Sequence, residues 1–269
     1  MTTRTLRPAL RTRLFAWLLL TAALTAPSVV RAEMSDTEAQ QLLELLDEKQ
    51  RAAGDFKALA LIEQKEKGKN DLVYQSVVYR RDEADKLLIM FLKPQSEAGK
   101  GYLRIDENLF LYDPTVGKWE RRTERERIMG TDTRRADFDE SRLAREYDAT
   151  YAGRESLGQF EVHHLELERK EGADVAYPVL HLWVDAETKN LLKRQDFALS
   201  GRLMRTSYYP RWTKVFSPSK GAPVYFPEEI RVFDEVQTGN RTTMAITKVD
   251  LTPLDPNIFT KAWLESKSR

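Results

Sequence analysis

The most constraining feature of the sequence is the segment from Lys86 to Arg122, in which short apolar runs alternate with turn residues. The six apolar residues from Leu87 to Leu92 are too few for an isolated helix, so they predict a strand buried on both faces. Polar corners separate three further predicted strands, which lie at 101–105, at 109–112 and from Trp119 onward. We interpret the segment as a meander in the middle of a large antiparallel sheet.

Residues 1–32 have the pattern of a secretory signal peptide. A positively charged start precedes the apolar run Leu14 to Ala26, whose 13 residues fall short of the roughly 20 that a membrane-spanning helix needs. Val30 and Ala32 place small residues before a cleavage site at Glu33. We therefore predict a cleaved signal at 1–32 and a single mature domain at 33–269. An uncleaved membrane anchor is the alternative.

The composition of the mature chain restricts its class of partner. Cleavage leaves 237 residues and removes five arginines and no acidic residue, so the formal charge falls from +1 to −4. A mildly acidic chain argues against nucleic acid as the main partner. The sequence contains no cysteine, so an exported protein of this kind must depend on its apolar core and not on disulfides.

The rest of the chain predicts one helix followed by many strands. Ser35 and Glu38 form a capping box, and leucines at helical spacing then predict a helix that ends before Gly54. A hairpin is predicted around the charged tip Lys65 to Asp71. Signals about ten residues apart then indicate a sandwich or a barrel. The predicted later strands are Tyr147–Leu157, Phe160–Arg169, Tyr177–Asp185, Leu191–Phe197, Arg202–Tyr209, Tyr225–Asp234 and Arg241–Val249, and a short helix at 261–265 closes the chain.

A charged insertion interrupts the strands between Glu120 and Arg135. It contains six arginines and four acidic residues, and Phe138 to Glu146 after it predicts one or two helical turns. Long insertions of this kind serve as lids or docking loops. A solvated edge held by local ion pairs is the other interpretation.

The sequence contains no recognisable catalytic or cofactor motif. It has no G-x-S-x-G elbow, no phosphate-binding glycine loop and no H-E-x-x-H pair. His163 and His164 are neighbours on a predicted strand, so they point to opposite faces and cannot share a metal without a bulge. We interpret them and His181 as ordinary sheet histidines, and we predict no catalytic residue, no metal site, no cofactor and no enzyme activity. A hydrolase would need a carboxylate pair assembled by folding.

Two predicted strands are apolar on both faces, namely 87–92 and 179–184. One explanation is that helices or loops cover both sides of the sheet. The other is a curved sheet whose concave face encloses an apolar ligand. A chain of roughly 14 carbons gains on the order of 11 kcal/mol when it leaves water, at about 0.8 kcal/mol per methylene. Such a cavity would therefore carry a lipid without any chemistry.

The same residues resemble the outer-membrane lipoprotein-sorting (LolA-like) family. The stretches that carry the resemblance, in order, are 87–94 (LLIMFLKP), 99–103 (GKGYL), 110–114 (FLYDP), 119–122 (WERR), 130–132 (GTD), 182–188 (LWVDAET) and 227–230 (PEEI). The resemblance implies a mainly β fold in which a curved antiparallel sheet forms an open, half-closed β-barrel covered by short helices. It also implies a periplasmic location, an apolar cavity for lipid or lipoprotein acyl chains, and an inner-membrane transporter as partner.

Within that fold, one alternating set of strand residues must line the cavity. We predict that the lining consists of Leu87, Ile89, Phe91, Phe110, Tyr112 and Trp183, with the opposite phase as the alternative. For contact with a partner or a lipid head group, we predict Arg121, Arg122 and Arg125.

These observations favour a periplasmic carrier or chaperone that shields acyl chains for a membrane transporter system. The alternative is an accessory subunit that docks on an inner-membrane exporter and carries nothing. An unrecognised hydrolase is the third hypothesis.

Overall fold

The computed structural model describes residues 1–2, 34–51, 53–106, 108–122, 127–132 and 141–268. The chain divides into two compact units, Met1–Ala32 and Glu33–Arg269, and the architecture below is that of the second. The predicted signal peptide lies outside the described residues apart from its first two, so its cleavage stays a prediction. No helix in the described part of the chain is both long and apolar enough to cross a membrane.

Thirteen strands and three α-helices make up the described fold. The helices are α1 (Asp36–Arg51), α2 (Leu143–Glu146) and α3 (Lys261–Lys267). The strands are β1 (Asp55–Lys65), β2 (Leu72–Arg81), β3 (Lys86–Lys93), β4 (Gly101–Ile105), β5 (Asn108–Asp113), β6 (Lys118–Arg122), β7 (Tyr147–Leu157), β8 (Phe160–Arg169), β9 (Val179–Asp185), β10 (Leu191–Phe197), β11 (Leu203–Ser217), β12 (Ala222–Asp234) and β13 (Arg241–Asp250). Short 3₁₀ turns lie at Asp82–Ala84, Ile128–Gly130 and Pro256–Phe259.

All thirteen strands belong to one antiparallel sheet with the order β6-β5-β4-β3-β2-β1-β13-β12-β11-β10-β9-β8-β7. β6 and β7 form its two edges, so the sheet is an open barrel, and the predicted fold class is confirmed. The predicted place of the meander was wrong, because β3 to β6 form one end of the sheet. The last strand, β13, pairs with the first, β1. The first and last strands of the chain therefore lie side by side in the interior of the sheet.

Register shows which residues share a face of the sheet. Leu182, Arg194, Ser207, Val232 and Thr242 are paired in series across β9 to β13, and directly paired residues point to the same side. We call this side the inner face and the other the outer face.

Helix α1 covers the inner face of β7 to β10. Its capping box forms as predicted, since Ser35 N donates to Glu38 Oε2 at 2.8 Å and Glu38 N donates to Ser35 Oγ at 3.3 Å. Ala39, Leu42, Leu43 and Leu46 form its buried stripe. They pack against buried sheet residues that include Leu165, Leu167, Leu180, Leu182 and Val184. The helix therefore fills this part of the barrel.

The C-terminal helix α3 packs on the outer face at the opposite end of the sheet. Leu264, which is fully buried, packs with Leu88 and Leu103. Trp119 Nε1 donates to Glu265 Oε1 at 2.7 Å and joins β6 to the helix. The packing of α3 explains why β3 is apolar on both faces. The helix covers the outer face of this strand, and the inner core covers the other face.

The strand predictions differ from the structure mainly at β11. The predicted strand ends at Tyr209, whereas β11 continues to Ser217 and forms a long hairpin with β12. Register shifts between Tyr208 and Trp212 interrupt the pairing, and they accommodate Pro210, which cannot donate a ladder hydrogen bond. Of the helix predicted over 138–146, the structure describes the turn at Leu143–Glu146, and residues 133–140 lie outside the described range.

Candidate functional site

The inner face encloses a cavity of about 920 Å³ next to the C-terminal end of α1. Residues from β1, β2, β3 and β10 to β13 line it, together with the last turns of α1 and residues 174–177. The central strands of the lining are β1 and β13. In the strand order of the sheet, they lie between the meander on one side and the strands that α1 covers on the other. The volume is near the top of the range of about 300–1,000 Å³ that ligand pockets occupy.

Small side chains on β1 leave much of this space. Ala58 and Ala60 are buried and line the cavity. They point to the same side because residues two apart on a strand share a face. Met244 and Ile246 on β13, with Val78 on β2, continue the apolar lining. Ala58 lies outside the packed hydrophobic clusters, whereas Ala60 belongs to one of them. At Ala58 the wall therefore presents only a methyl group to the cavity.

Charged side chains occupy a second part of the lining. Six basic residues and four acidic residues reach it, which gives an excess of positive charge; they are Lys49, Arg51, Arg80, Arg142, Lys189, Arg194, Asp82, Asp85, Glu146 and Asp174. Lys49 Nζ donates to Thr188 O at 2.5 Å and to Asn190 Oδ1 at 2.8 Å, and burial lowers the pKa of this amine. The cavity is thus apolar along the central strands and polar near the end of α1.

An ion cluster lines the cavity at the turn between β2 and β3. Arg80 Nε donates to Asp82 Oδ1 at 2.8 Å, and Arg80 Nη2 donates to Asp85 Oδ1 at 3.1 Å. Arg104, 1% exposed, also donates to Asp85 Oδ1. Burial raises the pKa of Asp82 to about 6, because the loss of solvation outweighs the nearby Arg80 charge. A carboxyl group in this state carries a proton more readily than an exposed one.

Tyr147 contributes a hydroxyl to the lining beside α2. Its Oη donates to Tyr177 O at 2.9 Å, and burial raises the pKa of Tyr147 to about 12. The phenol therefore stays neutral at physiological pH. Among the groups described here, none is arranged as a nucleophile with a base.

The six predicted cavity residues lie in different places. Leu87 lines the cavity, and Ile89 and Phe91 share its face in the adjoining core. Phe110 lies under Lys261 of α3, with Nζ 4.9 Å from the ring centroid. Tyr112 packs in the outer cluster with Trp119.

Trp183 also lies on the outer face, in a cluster with Val162 and Leu192. On β5 and β9 the inner face belongs to the alternate residues, Leu109 and Leu111 on one strand and Leu182 and Val184 on the other. The predicted residues therefore lie on the inner face on β3 and on the outer face on β5 and β9. The lengths of the intervening turns decide this parity.

Two of the three predicted partner-contact arginines, Arg121 and Arg122, lie on the edge strand β6. Arg121 is exposed on β6, and Arg122 is half-buried with Nη2 2.7 Å from Glu120 Oε2. Arg125 lies outside the described residues. Arg127, which was not singled out, holds the later part of the insertion, with its guanidinium 3.2 Å from Asp132 Oδ1 and 2.7 Å from Asp234 Oδ2.

The described part of the insertion packs against the inner face. Ile128 is 3% exposed and joins the cluster of Tyr74, Phe91 and Tyr102. Met129 N donates to Tyr102 Oη at 3.2 Å. The apolar pair Ile128-Met129 inside a charged segment was the available signal for this packing. Residues 127–132, which we call the inner segment, thus cover the meander as α1 covers β7 to β10.

Comparison with known proteins agrees with this architecture. A LolA superfamily protein from Nitrosomonas europaea has 23% identity and a TM-score of 0.68, over 84% of this chain and 98% of that one. A DUF1329 family protein from Desulfovibrio piger has 19% identity and a TM-score of 0.75, over 87% of this chain and 100% of that one. An outer membrane lipoprotein-sorting protein domain from Vibrio parahaemolyticus has 18% identity and a TM-score of 0.73, over 86% and 99% respectively.

No curated protein matches the sequence. A family model described as an uncharacterized protein matches residues 83–266, which is more than half of the chain. The chain therefore belongs to that family, and its fold is that of the LolA-like outer-membrane lipoprotein-sorting proteins.

Proposed function

We propose that this protein is a periplasmic carrier that binds the acyl chains of a lipid or lipoprotein in the inner-face cavity. The cavity carries this proposal, since about 920 Å³ of space lies against apolar residues of the central strands. An empty apolar space of this size contributes nothing to folding, because its lining atoms lose their packing partners. A ligand that fills it would restore those contacts.

The energetics of burial support an acyl chain as the occupant. At about 0.8 kcal/mol per methylene, a chain of roughly 14 carbons gains on the order of 11 kcal/mol on leaving water. This transfer needs no catalytic group, so binding alone accounts for the function. We propose accordingly that the protein is not an enzyme.

The charged part of the lining favours a ligand with an acidic or polar head. Lys49, Arg142 and Lys189 belong to the part near the end of α1 that carries the excess of positive charge. Charged groups in a partly desolvated site interact more strongly than they do in water. The apolar strands would therefore take the chain of an amphiphile, and the basic residues would lie near its head.

The location and the service to a transporter belong to the same proposal. A cleaved signal at residues 1–32 would export the chain, and one solved neighbour of the same fold is named an outer membrane lipoprotein-sorting protein domain. A carrier in the periplasm would collect its ligand from a membrane, so an inner-membrane transporter is the partner that we infer.

The proposal is tested by extracting ligand from protein purified without detergent. We expect native mass spectrometry of the wild type to show bound acyl lipid. Ala58→Phe should reduce that lipid at least fivefold, because the ring would project from the wall into the cavity. Ala245→Phe is the matched control, since Ala245 alternates with the cavity residues Met244 and Ile246 and so faces outward.

Two results would contradict the proposal. One is a wild type without lipid that also fails to bind a fluorescent fatty acid saturably. The other is equal lipid loss in Ala58→Phe and Ala245→Phe. The first result would favour the alternative, an accessory subunit that docks on an exporter through Arg121 and Arg122. The exposure of Arg121 on the edge strand β6 is the observation in favour of that alternative.

A further inference from the structure

Two histidines meet on the outer face of the sheet, away from the cavity. His164 on β8 and His181 on β9 lie diagonally across neighbouring strands, since His164 pairs with Trp183 and His181 pairs with Glu166. His164 Nε2 and His181 Nδ1 are 3.1 Å apart. The sheet thus brings together two imidazoles that are 17 residues apart in the sequence.

A carboxylate and an indole orient the first imidazole. Glu155 Oε1 lies 2.7 Å from His164 Nδ1, and Glu155 Oε2 accepts a hydrogen bond from Trp183 Nε1 at 2.9 Å. The Trp183 ring stacks on His164 with centroids 4.4 Å apart and an interplanar angle of 13°. A carboxylate on one ring nitrogen keeps the proton there and leaves the other nitrogen available as a ligand. Nε2 of His164 is the nitrogen so presented.

Glu166 adds a third ligand of a different kind. Its Oε1 lies 3.9 Å from His181 Nδ1, and one ligand atom of each of the three side chains lies within 4.8 Å of the others. The Glu166 side chain is 50% exposed, so it can move toward an ion without disturbing the core. The charged groups that act on His181 are Glu155, Glu166 and Lys193, so acidic side chains outnumber basic ones around it.

We propose that His164, Glu166 and His181 bind one divalent transition-metal ion of the zinc type. Ligand atoms at 2.0–2.1 Å from a tetrahedral zinc are about 3.3 Å apart, close to the separation of the two histidine nitrogens. Imidazole with carboxylate suits zinc, copper, nickel and iron. Three protein ligands leave a fourth position for water, and Glu155 is the outer carboxylate that positions His164.

The test is a calorimetric titration of Zn²⁺ into tag-free full-length protein that has been treated with a chelator. We expect saturable binding of one ion per chain. His181→Gln and Glu166→Gln should each weaken binding at least tenfold. Glu166→Gln keeps the result interpretable if the histidine variant folds poorly, because Glu166 is half exposed.

His163→Gln is the matched control. His163 lies next to His164 on β8 but points to the inner face, where its Nε2 is 3.0 Å from Lys189 Nζ. Its replacement should therefore leave the affinity for Zn²⁺ within twofold of the wild-type value. The proposal is overturned if the wild type shows no saturable binding, if Glu166→Gln binds as the wild type does, or if His163→Gln weakens binding as much as His181→Gln. Ala58→Phe should bind Zn²⁺ normally, so this test is independent of the lipid cavity.

Discussion

The inner face of the sheet is covered differently in two regions. Over β7 to β9, helix α1 packs Leu42, Leu43 and Leu46 against the strands, and these side chains fill the space. Over the central strands β1 and β13, no described helix inserts a comparable stripe, and the small residue Ala58 faces the cavity. The comparison teaches that the cavity is set by what covers the sheet, since the strands themselves are continuous across both regions.

The two regions also treat buried carboxylates in opposite ways. Asp196 on β10 is 0% exposed and lies between Arg194 Nε at 2.5 Å and Arg205 Nε at 2.7 Å. Burial opposes its ionisation, but the two guanidinium groups together lower its pKa. Asp82 lies at the cavity with only part of that compensation, and its pKa is raised to about 6. The paired Asp196 therefore stabilises the folded state at neutral pH, whereas Asp82 does not.

The largest predicted effect tests this contrast. Asp196→Asn should lower the free energy of unfolding by about 3–5 kcal/mol at pH 7, because it leaves the buried Arg205 and the partly buried Arg194 without their anion. Since the folded pKa of Asp196 is lowered, its contribution is present above the unfolded value of 3.8 and is lost as the pH falls below it. The deficit should thus be constant between pH 4 and pH 7 in denaturant unfolding.

Asp82→Asn is the counterpart with the opposite sign. The raised pKa of Asp82 means that the folded state holds a proton between pH 3.8 and about 6, so wild-type stability falls as the pH rises through that window. The stability of the wild type relative to Asp82→Asn should fall by up to about 3 kcal/mol from pH 4 to pH 7, at about 1.4 kcal/mol per pKa unit. If the difference in stability between the wild type and Asp82→Asn did not change with pH, the contrast between Asp82 and Asp196 would be wrong.

The second prediction compares two buried leucines. Leu43 is 0% exposed in the filled region, and Leu87 is 1% exposed at the cavity wall. Leu43→Ala should cost about 4 kcal/mol, because it creates a new void in addition to losing apolar burial. Leu87→Ala should cost about 2 kcal/mol, because it enlarges a space that already exists. Equal losses in urea unfolding would show that the cavity is filled by protein side chains in solution.

The third and smallest effect concerns the inner segment. Arg127→Gln should lower stability by about 1–2 kcal/mol, because Asp132 is buried and loses its counter-ion. Hydrogen exchange at the amides of Met129 and Thr131 should accelerate. Arg154→Gln is the control, since Arg154 is equally exposed at 32% but pairs with an exposed Glu161, and such pairs contribute less than about 1 kcal/mol. Unchanged exchange in Arg127→Gln would mean that Ile128 alone holds the segment.

Much of the fold was predictable because its signals are local. Alternating apolar residues and turn residues predicted β7, β8 and β10 with their observed bounds. The pair Ser35 and Glu38 predicted the start of α1, since a capping box satisfies backbone donors within one turn. β11 was predicted too short, because Pro210 is a strong local breaker whose effect the sheet absorbs through register shifts.

The candidate sites were less predictable because they depend on parity and on distant pairing. Leu87 was found at the cavity, but Tyr112 and Trp183 lie on the outer face, and Ala58 was missed. A search for large apolar residues overlooks a cavity, since small residues create the space. The comparison of His163 with His164 considered only sequence neighbours, whereas the close nitrogen pair is formed by His164 and His181 across two strands.

By itself, the sequence determined that this chain forms many antiparallel strands preceded by one amphipathic helix, because hydrophobic period and turn chemistry act over a few residues. Only the tertiary structure decided that β13 pairs with β1, that α1 fills one half of the inner face, and that a cavity is left beside Ala58. These features depend on which strands meet and on the parity of the turns between them. Contacts over long sequence separations set both, and no local pattern records them.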